Sequence, residues 1–529
     1  MSLDLTKLPD DAAALKEIIA FHLEEKEKYE ERIDYLEQMV GLLQKQIFGR
    51  KSEKHVLPDH DQLQLFDSIE SSESNRHVSE DKIVIPKHTR KKRGRKPLPP
   101  DLPRVDVIHD IPEEEKQCDC GVSLSCIGQD VSEKLDYVPA KIQVIRNIRL
   151  KYACKSCEGV ESEGPTVKIA LVPVQLLPKS IATEGLIAHL IVSKFADGLP
   201  LYRQQKIFGR LGIELSRATM ANWVVKASQQ CQPIIEHLQE EIRSGPLINV
   251  DETPYQVLNE PGRRNTSKSY MWVFKGGQES SPALLYQYHP TRSGDVALNF
   301  LGDYQGYVQS DAFSGYECLS KKKGITHAGC WAHARRYFVD VIKAKKKNRS
   351  KRIQPKSLAD EAILYIGQLY QIEKDAKIKN LEPQEIYQLR QEKAKPLLDD
   401  FKIWLDAKQQ ITPPKGLLGK AINYALNHWE KLIVYIEDGR LRPDNNAAEN
   451  AIRPFVIGRK NWLFAGHPNG AEASATFYSL VETAKANGLE PYNYLRYIFE
   501  KLPLAQTDAD YKNLLPQHVD REVISPTAM

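Results

Sequence analysis

The chain of 529 residues is 41% hydrophobic and 27% charged, with a formal net charge of +4, which fits several folded domains. Its eight cysteines are too few for a disulfide scaffold of this length. No apolar run approaches the roughly 18–20 residues of a membrane span, and the N-terminus lacks a secretory pattern, so we expect a cytoplasmic protein without a membrane partner.

The first predicted element is a coiled-coil helix over residues 1–50. Apolar positions spaced alternately by three and four run through residues 15–47, as in a heptad seam. We interpret the seam as a self-association element; an amphipathic helix packed on its own domain would give the same spacing. Residues 51–100 follow as a linker, rich in Ser, Glu and Asp as far as Asp81, and we expect this stretch to be disordered.

The linker ends in a basic arm. Residues 87–97 carry seven Lys/Arg and no acid, which indicates a polyanion partner. The segment Arg93-Gly-Arg-Lys-Pro97 resembles an AT-hook, in which a flexible glycine lets Arg93, Arg95 and Lys96 lie along a narrow minor groove. A nonspecific basic tether or a solvated charge run would have the same composition.

Four cysteines predict a zinc-ribbon-like module over residues 101–170. Cys118 and Cys120 form a C-x-C pair, and Cys154 and Cys157 form a C-x-x-C pair, with strand-like sequence between them. Four thiolates would hold a structural Zn²⁺ and leave no open position for chemistry. Because C-x-C is a tight spacing, Cys126 is a candidate replacement ligand, and plain buried or free thiols are the alternative.

Residues 171–240 are predicted to be helical, with segments at 182–195, 202–211 and 217–227. A short turn containing Gly212 precedes a helix that Ser216 would initiate, which fits a helix-turn-helix. In that arrangement Arg217, Thr219 and Asn222 face outward, where they could contact DNA. A plain helical spacer is the alternative.

Two short buried-strand patterns each end on a carboxylate. Residues 246–251 end on Asp251, and residues 306–311 end on Asp311. Two further strands and a helix are predicted between them, at 270–275, 283–288 and 293–301. This order fits a ribonuclease-H-like α/β domain over 241–480, in which the first and fourth strands lie side by side and bring their carboxylates to one end.

A third acid, Glu449, follows Asp311 by 138 residues. It lies in a predicted Asp/Asn-capped helix start, and we interpret Asn445 and Asn446 as caps. The long gap predicts a mostly helical insertion at about 345–437, with a second basic run, 343–352, at its mouth.

Together Asp251, Asp311 and Glu449 predict a divalent-metal site. Converging carboxylates repel one another unless cations hold them, and hard oxygen ligands suit two Mg²⁺ or Mn²⁺ ions and phosphoryl transfer. Glu252 directly follows Asp251 in a strand, so it should point to the opposite face.

Several neighbours are weaker candidates. Arg453 lies four residues after Glu449 and could contact phosphate or orient the carboxylate, and Arg459 and Lys460 are predicted phosphate contacts in the following loop. Cys330 and His333 stand one helical turn apart and could bind a metal, but no second pair is evident and we favour packing.

Five motifs in the second half of the chain are distinctive: Val250-Asp-Glu-Thr-Pro-Tyr255, Gln309-Ser-Asp-Ala-Phe-Ser-Gly-Tyr316, Gly329-Cys-Trp-Ala-His-Ala-Arg-Arg336, Asp444-Asn-Asn-Ala-Ala-Glu-Asn450 and Gly458-Arg-Lys-Asn-Trp-Leu-Phe464. Together they resemble the motifs of a bacterial DDE transposase family, that of insertion sequence sixty-six. The resemblance runs nearly end to end, through a C-terminal helical segment and tail at 481–529, and implies a multidomain α+β protein. The C-x-C pair departs from the usual zinc knuckle.

This resemblance implies that Asp251, Asp311 and Glu449 are a metal-binding triad holding two ions. It implies cleavage at the ends of a mobile element and strand transfer into target DNA. The expected partners are double-stranded DNA, further copies of this chain and accessory proteins of the same element, at the bacterial nucleoid.

Two other functions are compatible with the same residues. A nuclease of this fold would cut without joining, but it would not need the arm, the cysteine module and the helix-turn-helix for end recognition. A non-catalytic DNA-binding protein derived from a transposase would not need carboxylates at all three positions.

Overall fold

The computed structural model describes residues 142–149, 151–153, 167–169, 171, 173–311, 313–346 and 357–524. The predicted coiled coil, the arm with Arg93, Arg95 and Lys96, and all the cysteines of the predicted zinc module lie outside these residues. Within the range predicted for the cysteine module, β1 (Lys151–Ala153) and β2 (Val167–Ile169) pair antiparallel. They belong to a unit of residues 52–170, and the residues from 171 onward belong to another.

Among the described residues from 171 onward, the first helices are α1 (Glu184–Phe195), α2 (Leu201–Arg210), α3 (Arg217–Gln230) and α4 (Gln232–Ser244). The first three match the predicted helical segments. Gly212 adopts a φ of +78° in the turn, and Ser216 caps α3 by accepting a hydrogen bond from the Thr219 amide at 3.1 Å. Arg217 and Asn222 are exposed, as predicted, while Thr219 is half-buried.

These helices share one hydrophobic core with the sheet that follows them. Ile187 of α1 and Met220 of α3 belong to the same buried cluster as the apolar residues of the sheet and of the C-terminal helices. The helix-turn-helix is therefore packed as part of a larger body, with its polar face outward.

The central sheet has five main strands, and two helices connect some of them. Along the chain the order is β3 (Leu247–Val257), β4 (Lys268–Gln278), β5 (Ser281–His289), α5 (Asp295–Leu301), β6 (Gly306–Gln309), α6 (Glu317–Lys321) and β7 (Ile325–Ala328). Their spatial order is β5-β4-β3-β6-β7. The first three strands are antiparallel, and β6 and β7 run parallel to β3. The expectation that the first and fourth strands lie side by side is confirmed.

A helical insertion follows β7 and builds a second core. Its helices are α7 (Trp331–Lys346), α8 (Leu358–Ile378), α9 (Pro383–Leu389), α10 (Lys395–Ile411), α11 (Leu417–Asn427) and α12 (Trp429–Ile433). Trp331, Phe338 and Phe401 are buried in this second cluster, so α7 belongs to the insertion although the predicted boundary was about 345. Most of the basic run at 343–352 lies outside the described residues.

The chain returns to the sheet through α13 (Asn446–Trp462), β8 (Phe464–Ala465), α14 (Pro468–Ala486), α15 (Pro491–Lys501), α16 (Asp508–Asn513) and α17 (Arg521–Ile524). The hydroxyls of Ser479 and Thr483 on α14 accept hydrogen bonds from the Tyr286 and Leu284 amides, at 2.8 and 3.0 Å. The helix thereby covers the open edge of β5. The expected domain boundary at residue 480 falls inside α14.

Within the described part of the chain, no helix combines the length and the apolar character needed to cross a membrane.

Candidate active site

Two of the predicted acids come from neighbouring parallel strands. Asp251 lies within β3, and Asp311 lies two residues beyond the end of β6. Asn249 and Gln309 are paired in the register of the two strands, so each aspartate follows a paired residue by two positions. Because side chains two positions apart in a strand share a face, this register directs both carboxylates to the same side.

A buried network of amide side chains holds the segment that carries the third acid, Glu449, against the two strands. Asn249 Nδ2 donates to Gln309 Oε1 and to Asn445 Oδ1, both at 3.0 Å, and Asn445 Nδ2 donates to the Val250 carbonyl at 2.9 Å. All three amide side chains are buried. The network fixes the residue just before α13 against β3 and β6, and Glu449 follows one helical turn later.

Asn445 stands at the N-cap position of α13, but the prediction that its side chain caps the helix is wrong. Its side chain is occupied by β3 and makes no cap hydrogen bond. Asp444, the residue before the N-cap position, accepts a hydrogen bond from the amide of Asn446, the first helical residue, at 3.1 Å. Asn446 does not cap either, since its Oδ1 is buried and lacks a hydrogen-bond partner among the described residues.

The three acids interact electrostatically. Burial raises the pKa of Asp251 to about 8, and the negative charges of Glu252, Asp311 and Glu449 add to this effect. A hydrogen bond of 2.9 Å from the Glu252 amide to Asp251 Oδ1 opposes it. The site therefore disfavours the ionised form of Asp251 unless positive charge is supplied.

Glu252 lies on the other face of the sheet, as expected. Its buried carboxylate pairs with Arg292 and accepts a hydrogen bond from the Tyr316 hydroxyl. The Arg292 guanidinium lies 3.6 Å from the centre of the Phe313 ring. Glu252 is thus occupied by a structural ion pair, although burial still raises its pKa.

Cys330 and His333 lie closer to the acids than the packing interpretation implied. His333 Nδ1 is 3.7 Å from Glu449 Oε1, and ligand atoms of Cys330, His333 and Glu449 all lie within 4.8 Å of one another. Burial and nearby Arg336 lower the pKa of His333, while burial raises the pKa of Cys330 to about 12. At neutral pH this pairs a neutral imidazole with a neutral thiol.

The donor set fits a divalent cation. Glu449 Oε1, His333 Nδ1 and Asn446 Oδ1 are all buried, and in the part of the chain described here none has a hydrogen-bond partner. Buried polar atoms are normally paired, and repelling carboxylates normally have a counter-charge. A cation would supply both a partner for these buried atoms and a counter-charge for the carboxylates.

Arg453 lies on the helix of Glu449, as expected, whereas Arg459 and Lys460 occupy different positions from those expected. Arg453 is exposed on α13, but α13 continues to Trp462, so Arg459 and Lys460 lie in its last turn and not in a loop. Arg459 Nη1 donates to Thr253 Oγ1 on β3 at 3.3 Å. Its position next to the sheet is therefore partly structural.

Sequence reasoning missed the amide network, although the sequence carries a signal for it. Asn249-Val-Asp251 and Gln309-Ser-Asp311 share the pattern of an amide two residues before an aspartate. When the two amide residues are paired across adjacent parallel strands, this spacing places the amides side by side, and the carboxylates follow them on the same face.

Family models match the chain over most of its length. The model described as the transposase IS66 family matches residues 179–473, and the zinc-finger binding domain of transposase IS66 matches 115–158, which includes all four predicted zinc ligands. The models described as transposase C of IS166 homeodomain and as the IS66 C-terminal element match 35–107 and 479–517.

Two relatives come from Sinorhizobium fredii. Uncharacterized protein y4qI is 31% identical, with 99% of this chain and 100% of the relative covered. Uncharacterized protein y4jD is 34% identical, with 79% of this chain and 81% of the relative covered.

Proposed function

The chain belongs to the IS66 transposase family, and we propose that it binds the ends of a bacterial insertion sequence and catalyses metal-dependent DNA cleavage and strand transfer. Its partners in this role are double-stranded DNA of the element ends and the target, further copies of the chain associated through residues 15–47, and accessory proteins of the same element. It would act at the nucleoid.

The observation that supports this proposal is the electrostatic interaction of acids from three distant segments. The charges of both Asp311 and Glu449 act on Asp251, although Glu449 follows Asp251 by nearly two hundred residues. The strand order β5-β4-β3-β6-β7, with β3 beside β6, supports a ribonuclease-H-like catalytic domain.

Asp251, Asp311 and Glu449 would hold two Mg²⁺ or Mn²⁺ ions. When bound, such ions activate a water or 3′-hydroxyl nucleophile and stabilise the leaving oxygen during in-line attack on a phosphodiester. The chain's own contribution is positioning: the amides of Asn249, Gln309 and Asn445 hold the acid-bearing segments at a fixed separation before the cation arrives.

Several basic and polar groups would bind the DNA. Arg217 and Asn222, exposed on α3, are suited to contact element ends, and Arg453, Arg459 and Lys460 lie on the helix that carries Glu449. Arg93, Arg95 and Lys96 would follow a minor groove. A zinc ion on Cys118, Cys120, Cys154 and Cys157 would stabilise the module that the zinc-finger model matches.

The test is an end-processing assay. Purified protein is incubated with labelled element ends, target DNA and Mg²⁺, and nicked and joined products are separated on a denaturing gel. We expect Asp251→Asn, Asp311→Asn and Glu449→Gln each to abolish both products while end binding persists. Asp400→Asn, at an exposed position in the helical insertion, is the matched control and should retain both.

The assay also separates the competing functions. Nicked ends without joined product would indicate a nuclease that cuts only. Binding without either product in the wild-type protein would indicate a DNA-binding protein without catalysis. Full activity in any one triad variant would remove that residue from the proposed site.

A further inference from the structure

Two unpartnered atoms face each other where α7 and α13 begin. His333 Nδ1 and Glu449 Oε1 are buried, are 3.7 Å apart, and have no hydrogen-bond partner within the described residues. A hydrogen bond between nitrogen and oxygen would need about 2.7–3.2 Å. The two atoms are close enough to share a partner and too far apart to be each other's partner.

A metal ion fits this separation. Ligand atoms about 2.0–2.2 Å from one ion lie roughly 3.0–3.5 Å from each other, depending on geometry. The observed 3.7 Å exceeds that range by only a few tenths of an ångström. Small rotations of both side chains would close the difference.

We propose that His333 Nδ1 is a direct ligand of the cation that Glu449 holds, and that this nitrogen makes the position prefer Mn²⁺ over Mg²⁺. Mg²⁺ takes oxygen ligands, whereas first-row transition cations accept imidazole nitrogen as well. The inference rests on the proposed function only in that Glu449 holds a cation.

The backbone holds the two ligands in place. The Asn445 amide donates to Cys330 Sγ at 3.2 Å, and the Trp331 amide donates to the Pro443 carbonyl at 2.8 Å. These bonds join the segment that leads into α7 to the segment that leads into α13. Since His333 and Glu449 lie in the first turns of these helices, their separation is set before any ion binds.

Cys330 is excluded from the coordination of a hard cation. It is 1% exposed, and its sulfur already accepts the Asn445 amide. The thiol therefore links the segments that precede α7 and α13. Cys330→Ser should preserve this hydrogen bond from the Asn445 amide while removing the soft sulfur ligand.

The test uses MnCl₂ alone with the full-length protein. Electron spin echo measurements detect nitrogen-14 bonded directly to Mn²⁺, and titrations give the dissociation constants for Mn²⁺ and Mg²⁺. We expect nitrogen coupling in the wild type and its loss in His333→Asn, where an amide oxygen replaces Nδ1. The Mn²⁺ dissociation constant should rise by about tenfold or more in that variant, and the Mg²⁺ constant by less.

Cys330→Ser and His428→Gln are the controls and should keep the coupling. His428 is half-buried at the junction between α11 and α12 of the insertion. Labelling with nitrogen-15 histidine changes the signal in the wild type itself, so the test does not depend on folding of a variant. Mn²⁺ binding without nitrogen coupling, or coupling that survives His333→Asn, would overturn the inference and leave the triad intact. An Mn²⁺ dissociation constant that is unchanged in Asp251→Asn and Glu449→Gln would contradict the proposed metal site as well.

Discussion

Asn249 donates a hydrogen bond to Asn445 across a sequence separation of 196 residues, and Asn445 donates in turn to the backbone of the same strand. Both side chains are buried, so replacing Asn445 by alanine leaves Asn249 Nδ2 and the Val250 carbonyl short of a partner. We expect Asn445→Ala to lower the free energy of unfolding by about 1–3 kcal/mol. Chemical denaturation of the full-length protein measures this.

The same substitution should reduce end cleavage more than end binding, because it loosens the segment that carries Glu449. Asn450→Ala, at an exposed position on α13, is the control, and its effect on stability should stay within about 0.5 kcal/mol. Equal losses of stability in the two variants would show that the buried amide pair has no special role.

Removing the buried charge of Asp251 should stabilise the protein when divalent cations are absent. The folded-state pKa of about 8 lies above the ordinary value of 3.8, so ionisation costs stability as the pH rises between these values. Asp251→Asn should therefore melt at a higher temperature than the wild type at pH 8, with a smaller gap at pH 5. Mg²⁺ should raise the melting temperature of the wild type only. A gap that is independent of pH would contradict the electrostatic account.

Substitutions on α3 should distinguish recognition of the element ends from general affinity for DNA. Asn222→Ala is expected to weaken binding to element ends and leave binding to unrelated DNA unchanged, since an amide reads base edges. Arg217→Ala should weaken both and reduce the slope of log affinity against log salt by about 1 if it contacts phosphate. Arg496→Ala, an exposed position on α15, is the control. Unchanged affinity in both α3 variants would remove α3 from the DNA interface.

Zinc should matter for recognition and not for the carboxylate site. Cys154→Ser is expected to lower the zinc content of the purified protein and weaken binding to specific ends. Cation binding at Asp251 should persist, because four sulfur ligands leave a structural zinc no role in the chemistry. Full end binding by a zinc-free wild-type protein would refute this.

The sequence predicted the β-strand framework because strand alternation and strand-ending carboxylates are local signals. The position of Glu252 on the opposite face followed from the period of two alone. The sequence predicts a capping side chain at Asn445 because capping is judged from adjacent residues, whereas the partners of this side chain lie on β3, far away in sequence. The sequence predicts a loop at Arg459 and Lys460, whereas α13 continues past Pro454 to Trp462. The approach of His333 to Glu449 depends on how the insertion returns to the sheet, which no local pattern encodes.

The central claim is that Asp251, Asp311 and Glu449 surround the same cations. Fe²⁺ bound at such a site generates hydroxyl radicals with ascorbate and peroxide, and these cut nearby backbone. We predict cuts within β3, just after β6 and at the start of α13, all suppressed by excess Mg²⁺ and by Asp251→Asn, with fragments identified by mass spectrometry. Cuts at only one of the three segments, or cuts that persist in Asp251→Asn, would contradict the account.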